Sequence, residues 1–391
     1  MLLVGYCFAI RSERQLCDEV HLNLAYRLFC GLGLEGKVPD HSAFSLNRNG
    51  RFRESDILRH VFEGVVQRCI EENLVGGEGF AVDASLIQAD ANKQRSVPSA
   101  EWKLEDIPQA SGRAVREYLD RLDDEAFGGA SPVVPKFISP SDPASQWTGA
   151  MRGPAFFAYA DNYLIDNENA VIVDVEATRA IRQAEVGAAR TMLDRVKRRF
   201  GLEPKRLAGD TAYGASDMLD WLVNEKKIAP HIPVFDKSKR KDGTFSREDF
   251  FWNPEHDLYI CPAGKALRST GTLHSDRTYR YIARKADCDA CALKPRCTPN
   301  MPQRRVGRDV HEDARDVARA IHKTPEYEQS CRERKKVEML FAHLKRIFRL
   351  GRLRLRGPCG AQHEFLLAAT AQNLKKLVKL RPVPPPSAVI P

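Results

Sequence analysis

Three acidic residues occupy positions where a carboxylate needs a reason to be. Asp83 lies inside GFAVDASLI (residues 79–87), whose alternation reads as a strand apolar on both faces apart from Asp83 and Ser85. An ionised carboxylate there is costly unless it is paired or metal-bound. Asp210 closes a second short strand, RLAGD, just ahead of Thr211 and Gly214. In open α/β sheets functional groups gather at the C-terminal ends of strands. Glu338 lies on the helical stretch CRERKKVEMLFAHLKRIFRLG. At ~100° per residue, Arg334 and Lys345 fall within about 40° of it, and Val337, Phe341, Leu344 and Phe348 form a stripe about 60–120° away. Glu338 thus sits at the edge of the inward face with two cations beside it. Taken singly, each aspartate also reads as a buried group bonded to a neighbouring turn, and Glu338 as half of a surface pair with Arg334. Taken together, two aspartates and a glutamate meeting at a sheet edge can hold two Mg²⁺ or Mn²⁺ ions. Such a pair activates an attacking water or hydroxyl and stabilises the leaving oxygen of a phosphodiester. Arg334 and Lys345 are then placed to hold phosphate oxygens.

A second group of residues is suited to sulfur ligation. Cys261 follows a strand, and Cys288, Cys291 and Cys297 follow within ADCDACALKPRCTPN. Four thiolates with one C-x-x-C pair suit a tetrahedral structural Zn²⁺. An iron–sulfur cluster is the lesser option, and unligated cysteines in a small hairpin are the other. His274, His311 and His322 are scattered and read as surface or core histidines.

These residues need a scaffold, and the periodicity supplies one. Residues 1–78 read as helical, with Leu16, Val20, Leu24 and Leu28 forming one stripe of a helix that ends at Gly31 and Gly33. A polar Asn/Arg-rich element follows and then the helix ILRHVFEGVVQRCIEENL. This order fits a helix-turn-helix, or a small helical bundle with no nucleic-acid role. Residues 79–235 form a mixed α/β sheet flanked by helices: the Asp83 strand, a loop-rich insertion over 95–153 around one helix, a hairpin turning at Asn167–Asn169, a helix closed by Gly201, the Asp210 strand, a helix and a strand. Residues 236–325 break that rhythm and carry the cysteines. Residues 326–381 hold the long amphipathic helix and a basic region, and 382–391 are a Pro-rich disordered tail.

The chain has 391 residues and a net charge of +9, with 43% hydrophobic and 29% charged residues. That mix excludes a largely disordered or collagen-like chain. No apolar run is long enough to span a bilayer, and the apolar start lacks the flanks of a signal peptide. Ten cysteines are too sparse for a disulfide scaffold, which points to a reducing, cytoplasmic compartment. Residues 332–381 carry 14 Lys and Arg against three acids, so this segment holds the whole basic excess. Arg346, Arg349, Arg352, Arg354 and Arg356 alternate there with apolar residues. A solvated helix face is the plain reading; a polyanion, with arginines gripping phosphates, is the competing one. Base reading belongs to the N-terminal segment, where Asn47, Arg48 and Arg51 are candidates.

In combination, VDASLIQADANK, AGDTAYG and R-x-x-x-E-x-x-x-x-x-x-K followed by LGRLRLRG resemble the bacterial insertion-sequence transposases of the DDE class. The resemblance runs from about residue 10 to 380. It implies an RNase H-like core with Asp83, Asp210 and Glu338 as the metal-binding triad, and Arg334 and Lys345 as its basic partners. It also implies cleavage at transposon ends, joining of the freed 3′-hydroxyl to target DNA, an N-terminal domain that helps bind those ends, and a homodimer on double-stranded DNA. The cysteine segment resembles an insertion some of these enzymes carry before the glutamate helix, with a structural role. Two departures stand out. Cys331 occupies a place where relatives often have Tyr, and the chain starts inside what relatives have as a first helix, so a shortened end-binding region is expected. The competing readings are a catalytically inactive DNA-binding derivative and an RNase H-like nuclease that cuts without joining.

Overall fold

The computed structural model describes residues 1–103, 112–124, 127–128, 133–149, 153–236, 238 and 240–380. The tail expected to be disordered lies outside this set, as does part of the 95–153 insertion. The chain divides into two compact units, one of residues 1–209 with 328–391 and one of residues 210–327.

The first unit opens with five helices: α1 (Leu2–Cys7), α2 (Glu13–Leu22), α3 (Leu24–Phe29), α4 (His41–Asn49) and α5 (Ile57–Glu71). The single stripe expected over Leu16–Leu28 is not formed. Asn23 is extended (ψ 113°), and its side-chain oxygen caps the next helix through Ala25 and Tyr26 N–H. Only Leu16 and Val20 are buried; Leu24 and Leu28 point to solvent. A capping asparagine has overridden the four-residue spacing. The Asn/Arg-rich element is likewise a helix, α4, because the Asp40 carboxylate accepts from Ser42 and Ala43 N–H and Phe44 is buried. These helices belong to the same compact unit as the sheet, and Tyr6, Phe62 and Val66 lie in its core.

The sheet of this unit contains β1 (Gly79–Gln88), β4 (Gln146–Thr148), β5 (Phe156–Asp166), β6 (Ile172–Arg179) and β7 (Arg206–Ala208). A two-stranded ribbon, β2 (Val97–Pro98) with β3 (Phe137–Ile138), and helix α6 (Arg113–Leu119) precede β4. β5 is antiparallel to β1, β4 and β6, whereas β7 runs parallel to β1 on its other edge. Helix α7 (Arg182–Phe200) covers one face, ends on Gly201 in the left-handed region, and is tied to β6 through Arg195, which meets Asp174 and Glu176. The long helix α12 (Pro325–Arg346) and α13 (Gly357–Leu380) cover the other. α13 is buried along most of Gly357–Asn373, polar residues such as Glu364, Gln372 and Asn373 included, and contacts α1, α5, α6 and β6. Its start requires glycine: Gly357 has φ 82°, and a Cβ there would stand 2.9 Å from the Ala114 Cα.

The second unit contains α8 (Ser216–Asp220), β8 (Ala229–His231), an antiparallel sheet of β9 (Phe251–Asn253), β10 (Leu258–Ile260), β11 (Ala266–Leu273), β12 (Thr278–Ala283) and β13 (Arg305–Asp309), and helices α9 (Lys285–Asp289), α10 (Lys294–Cys297) and α11 (Glu312–Ile321). Its sheet core is Phe250, Tyr259, Leu267, Tyr281, Ala283 and Val306. Among the described residues no helix is long and apolar enough to cross a membrane.

Candidate active site and nucleic-acid interface

β1 begins as a fully buried strand, with Phe80, Ala81 and Val82 sealed from solvent, and opens at Asp83, whose side chain is 20% exposed. The Asp83 Oδ1 accepts from the next backbone N–H at 2.8 Å. Its Oδ2 lies 3.4 Å from an Arg334 nitrogen, and the other arm of that guanidinium lies 3.3 Å from Glu338 Oε1. One arginine therefore spans the first and third acids. Cross-strand pairing explains the juxtaposition. Tyr163 on β5 stands directly opposite Asp83, and Phe341, less than a turn after Glu338, stacks on the Tyr163 ring at 4.6 Å. Val337, Phe341, Leu344 and Phe348 are all buried, as the stripe predicted. Glu338 stays 56% exposed at the edge of that face. Lys345 follows about two turns later; desolvation lowers its ammonium pKa, and the Asp161 carboxylate pulls the other way.

Asp210 opens the second unit. Its Oδ1 accepts from Ala212 N–H at 2.7 Å and so caps the short turn Thr211–Tyr213. The turn is tight: a Cβ on Gly214 would stand 2.0 Å from the Pro233 carbonyl oxygen. Among the described residues no three His, Cys, Asp or Glu side chains are grouped closely enough to hold a metal ion. The carboxylate oxygens of Asp83 and Glu338 are nonetheless the donor type that Mg²⁺ and Mn²⁺ take.

The basic run is ordered by β1. Gln88 exchanges backbone bonds with Gly351 and Leu353, so residues 351–353 lie parallel beside the end of the strand. Leu353 and Leu355 are buried, and Arg352, Arg354 and Arg356 alternate outward; Arg346 and Arg349 are exposed as well. Asp90 pairs with Arg352 at 2.8 Å and with Arg356 at 3.0 Å. An open groove of about 690 Å³ is lined by Arg11, Ser12, Gln15, Asp90, Arg349, Arg352 and Arg354. Its two walls share one buried carboxylate. Glu364 on α13 accepts from Arg11 at 2.6 Å, from the Tyr6 hydroxyl at 3.1 Å, and from the backbone N–H of Arg354 and Leu355 at 2.6 and 2.7 Å. Sequence reasoning missed Arg11 and Glu364. The available signal was that Glu364 is one of only three acids in 332–381.

The three base-reading candidates divide. Asn47 and Arg51 are exposed, with the Asn47 amide donating to the Ala43 carbonyl at 2.9 Å. Arg48 is a correction: it is buried, pairs with Glu13 at 2.9 Å and reaches the Tyr6 hydroxyl. A guanidinium held inside the helical layer is not available to a base edge. Cys331 is exposed on α12.

The four cysteines of the second unit surround one cavity of about 30 Å³, together with Ala283, Asp287 and Arg304. All four are free thiols. Cys261 sits in a knuckle after β10, where Lys265 N–H points at its sulfur at 3.3 Å. Cys288 lies on α9, Cys291 just beyond it, and Cys297 ends α10. Burial raises the Cys297 pKa; the Arg304 charge lowers it, and the other three thiols raise it.

Comparison with known proteins finds two family matches. A family model for a transposase DDE domain matches residues 260–378, and one for a transposase domain matches residues 1–50. Over these residues the chain is similar to the DDE-class insertion-sequence transposases. The first match takes in all four cysteines, Glu338 and the basic run, whereas Asp83 and Asp210 lie outside both matches. No curated protein and no solved structure matches the chain.

Proposed function

We propose that the protein is an active DNA transposase in which Asp83, Asp210 and Glu338 hold two Mg²⁺ or Mn²⁺ ions, cut the ends of its element and join the freed 3′-hydroxyl to target DNA. The observation that carries the reading is the single guanidinium of Arg334 placed between Asp83 and Glu338 on an anchored helix. Both carboxylates reach solvent at that seam, as a cation-binding edge requires. Two bound ions would supply Lewis-acid stabilisation of the leaving oxygen and a deprotonated nucleophile. The chain's own part is to fix the carboxylates and, through Arg334 and Lys345, to orient phosphate oxygens. The strand arrangement of β6, β5, β1 and β7, with the first acid on the central β1, supports an RNase H-like core.

The arginine-lined groove is the proposed seat of the DNA backbone, with Arg346, Arg349, Arg352, Arg354 and Arg356 contributing charge and Asn47 and Arg51 reading bases. A homodimer acting on double-stranded DNA in the bacterial cytoplasm completes the reading. The deciding experiment supplies Mg²⁺, DNA carrying the element's flanking ends, and a supercoiled target. Joined products are expected. Nicks without joining favour the nuclease, and DNA binding without nicks favours an inactive derivative.

We propose that the cysteine cavity takes a structural Zn²⁺: four thiols line it, the ligand type and number of a tetrahedral structural site, and they would draw together around the ion on binding. Protein purified without chelator is expected to contain about one zinc per chain, and Cys288→Ser to lose it with a fall in thermal stability. A metal-free parent of unchanged stability contradicts the assignment.

A further inference from the structure

The five-stranded sheet of the second unit has one face in the core and one face outside. Strand register fixes which side chains share a face, since opposed residues of an antiparallel pair point to the same side and neighbours along a strand alternate. Leu267 stands opposite Ala283, and Tyr281 opposite Val306; all four lie in the sheet core. The adjacent pairs, Arg268 with Ile282 and Ile282 with Arg305, therefore face the other way. Arg280, two residues before Ile282, shares that outer face and stands opposite Gly307. Arg268, Arg280 and Arg305 are exposed, and Ile282 between them is half-buried. Strands lie about 4.8 Å apart, so Arg268 and Arg305, one strand to either side of Ile282, leave their backbones roughly 10 Å from each other.

The ground around these arginines is low and uncharged. A Cβ on Gly307 would meet only Thr278, at 4.0 Å. Ala266, Ile260 and Phe251 continue the face across β11, β10 and β9, with Phe251 largely exposed; Leu258 beside them is buried. Acids occur only toward the Thr278 end. Arg280 reaches Asp276 at 3.7 Å, a solvent-exposed pair worth little. Asp309, opposite Thr278, accepts from His311 N–H at 2.9 Å. Among the described residues no carboxylate pairs with Arg268 or Arg305. Residues 261–309 as a whole hold 11 Lys and Arg against four acids, and of these cations Arg304 and Arg308 are buried.

A merely solvated face carries both signs interspersed. A patch of one sign instead concentrates a polyanion. Duplex DNA presents one negative charge per about 1.7 Å of helix axis, so each of three guanidiniums spread over this face finds a phosphate whatever the sequence. An acidic protein would have to place its carboxylates to match.

We propose that the outer face of this sheet is a DNA contact additional to the arginine run of residues 346–356: Arg268, Arg280 and Arg305 grip the phosphates of a duplex, and Ile282 lies against its sugar–phosphate backbone. The inference rests on the transposase reading for DNA as the polyanion, and on register and charge for the face. The contact positions the duplex and reads no bases.

The test uses the full chain with Arg268→Gln, Arg280→Gln and Arg305→Gln combined. The three side chains are exposed, so the melting temperature is expected to match the parent's. Affinity for an unrelated duplex is expected to fall roughly ten- to a hundred-fold at low salt, and the slope of log affinity against log salt to become shallower by about two to three. A duplex bearing the element's ends should show the same change. Unchanged affinity and slope overturn the proposal, as does a loss confined to one of the two duplexes. Weakened binding of polyglutamate with none of DNA marks an acidic-protein partner and overturns it as well. A second measurement does not depend on the triple variant folding: a photo-crosslinking residue in place of Ile282 is expected to attach to the duplex on irradiation, and absence of that adduct overturns the proposal. A parent that nicks end-bearing DNA without an adduct at position 282 rejects this face alone. A parent that forms the adduct but never nicks rejects the transposase reading and leaves the face standing.

Discussion

Asp83→Asn is expected to bind DNA as tightly as the parent and to nick it about a thousand-fold more slowly. The substitution keeps the shape of the side chain and an oxygen to accept from Ala84 N–H, so β1 has no reason to move. It removes a formal charge at the point where the strand first reaches solvent. Loss of one preorganised electrostatic contact in an active site typically costs about 10²–10³ in rate, and a lost metal ligand lies at the upper end of that range. Affinity for the duplex is set by arginines on a different segment, so it should be untouched. Single-turnover cleavage alongside a DNA-binding titration separates the two quantities. Nicking within tenfold of the parent contradicts a catalytic role for Asp83.

Glu364→Ala is expected to have the largest effect on stability and to weaken DNA binding with it. This carboxylate is fully buried and takes four hydrogen bonds, two from side chains near the N-terminus and two from the backbone of the arginine run. Burial, and next the Glu364 charge, push the Tyr6 hydroxyl up to about 12, so the phenol remains a donor throughout the physiological range. Removing one partner of a buried ion pair costs about 3–5 kcal/mol. Because Glu364 joins both walls of the groove, its removal should also scatter Arg11 and Arg354. The slope of log affinity against log salt should then become shallower by about one for each phosphate that is no longer gripped. Glu364→Gln, which keeps an acceptor for the backbone pair, should fall between. A variant that melts with the parent and retains its salt slope contradicts the linkage.

The sequence was informative wherever an apolar period ran unbroken. The stripe Val337–Phe348 predicted which face of α12 packs, and with it the place of Glu338 at the seam. The alternation Arg352–Arg356 likewise pointed to outward arginines over buried leucines. It was less informative where one polar side chain decides the backbone. Asn23 splits what the leucine spacing reads as a single helix, and Asp40 turns an apparently irregular stretch into α4. Arg48 looked like a reader of bases because composition does not say which way a helical arginine points; Glu13, far off in sequence, pulls it inward. Of the five-stranded sheet of the second unit only the strand before Cys261 was legible, because polar residues and arginines break the apolar alternation of the others. There two arginines act as core material: Arg308 lies 4.0 Å from the Trp252 ring centroid and Arg304 lies 5.0 Å from that of Phe250.

The central claim is that Asp83, Asp210 and Glu338 act together on divalent cations. The most direct test is a calorimetric titration of Mn²⁺ into the metal-free protein and into Asp210→Ala, with nicking of end-bearing DNA followed in the same samples. The account predicts that the parent binds Mn²⁺ and nicks, and that the variant, still folded and still binding DNA, loses both. Equal Mn²⁺ binding by the two proteins, or nicking that survives the substitution, would contradict it.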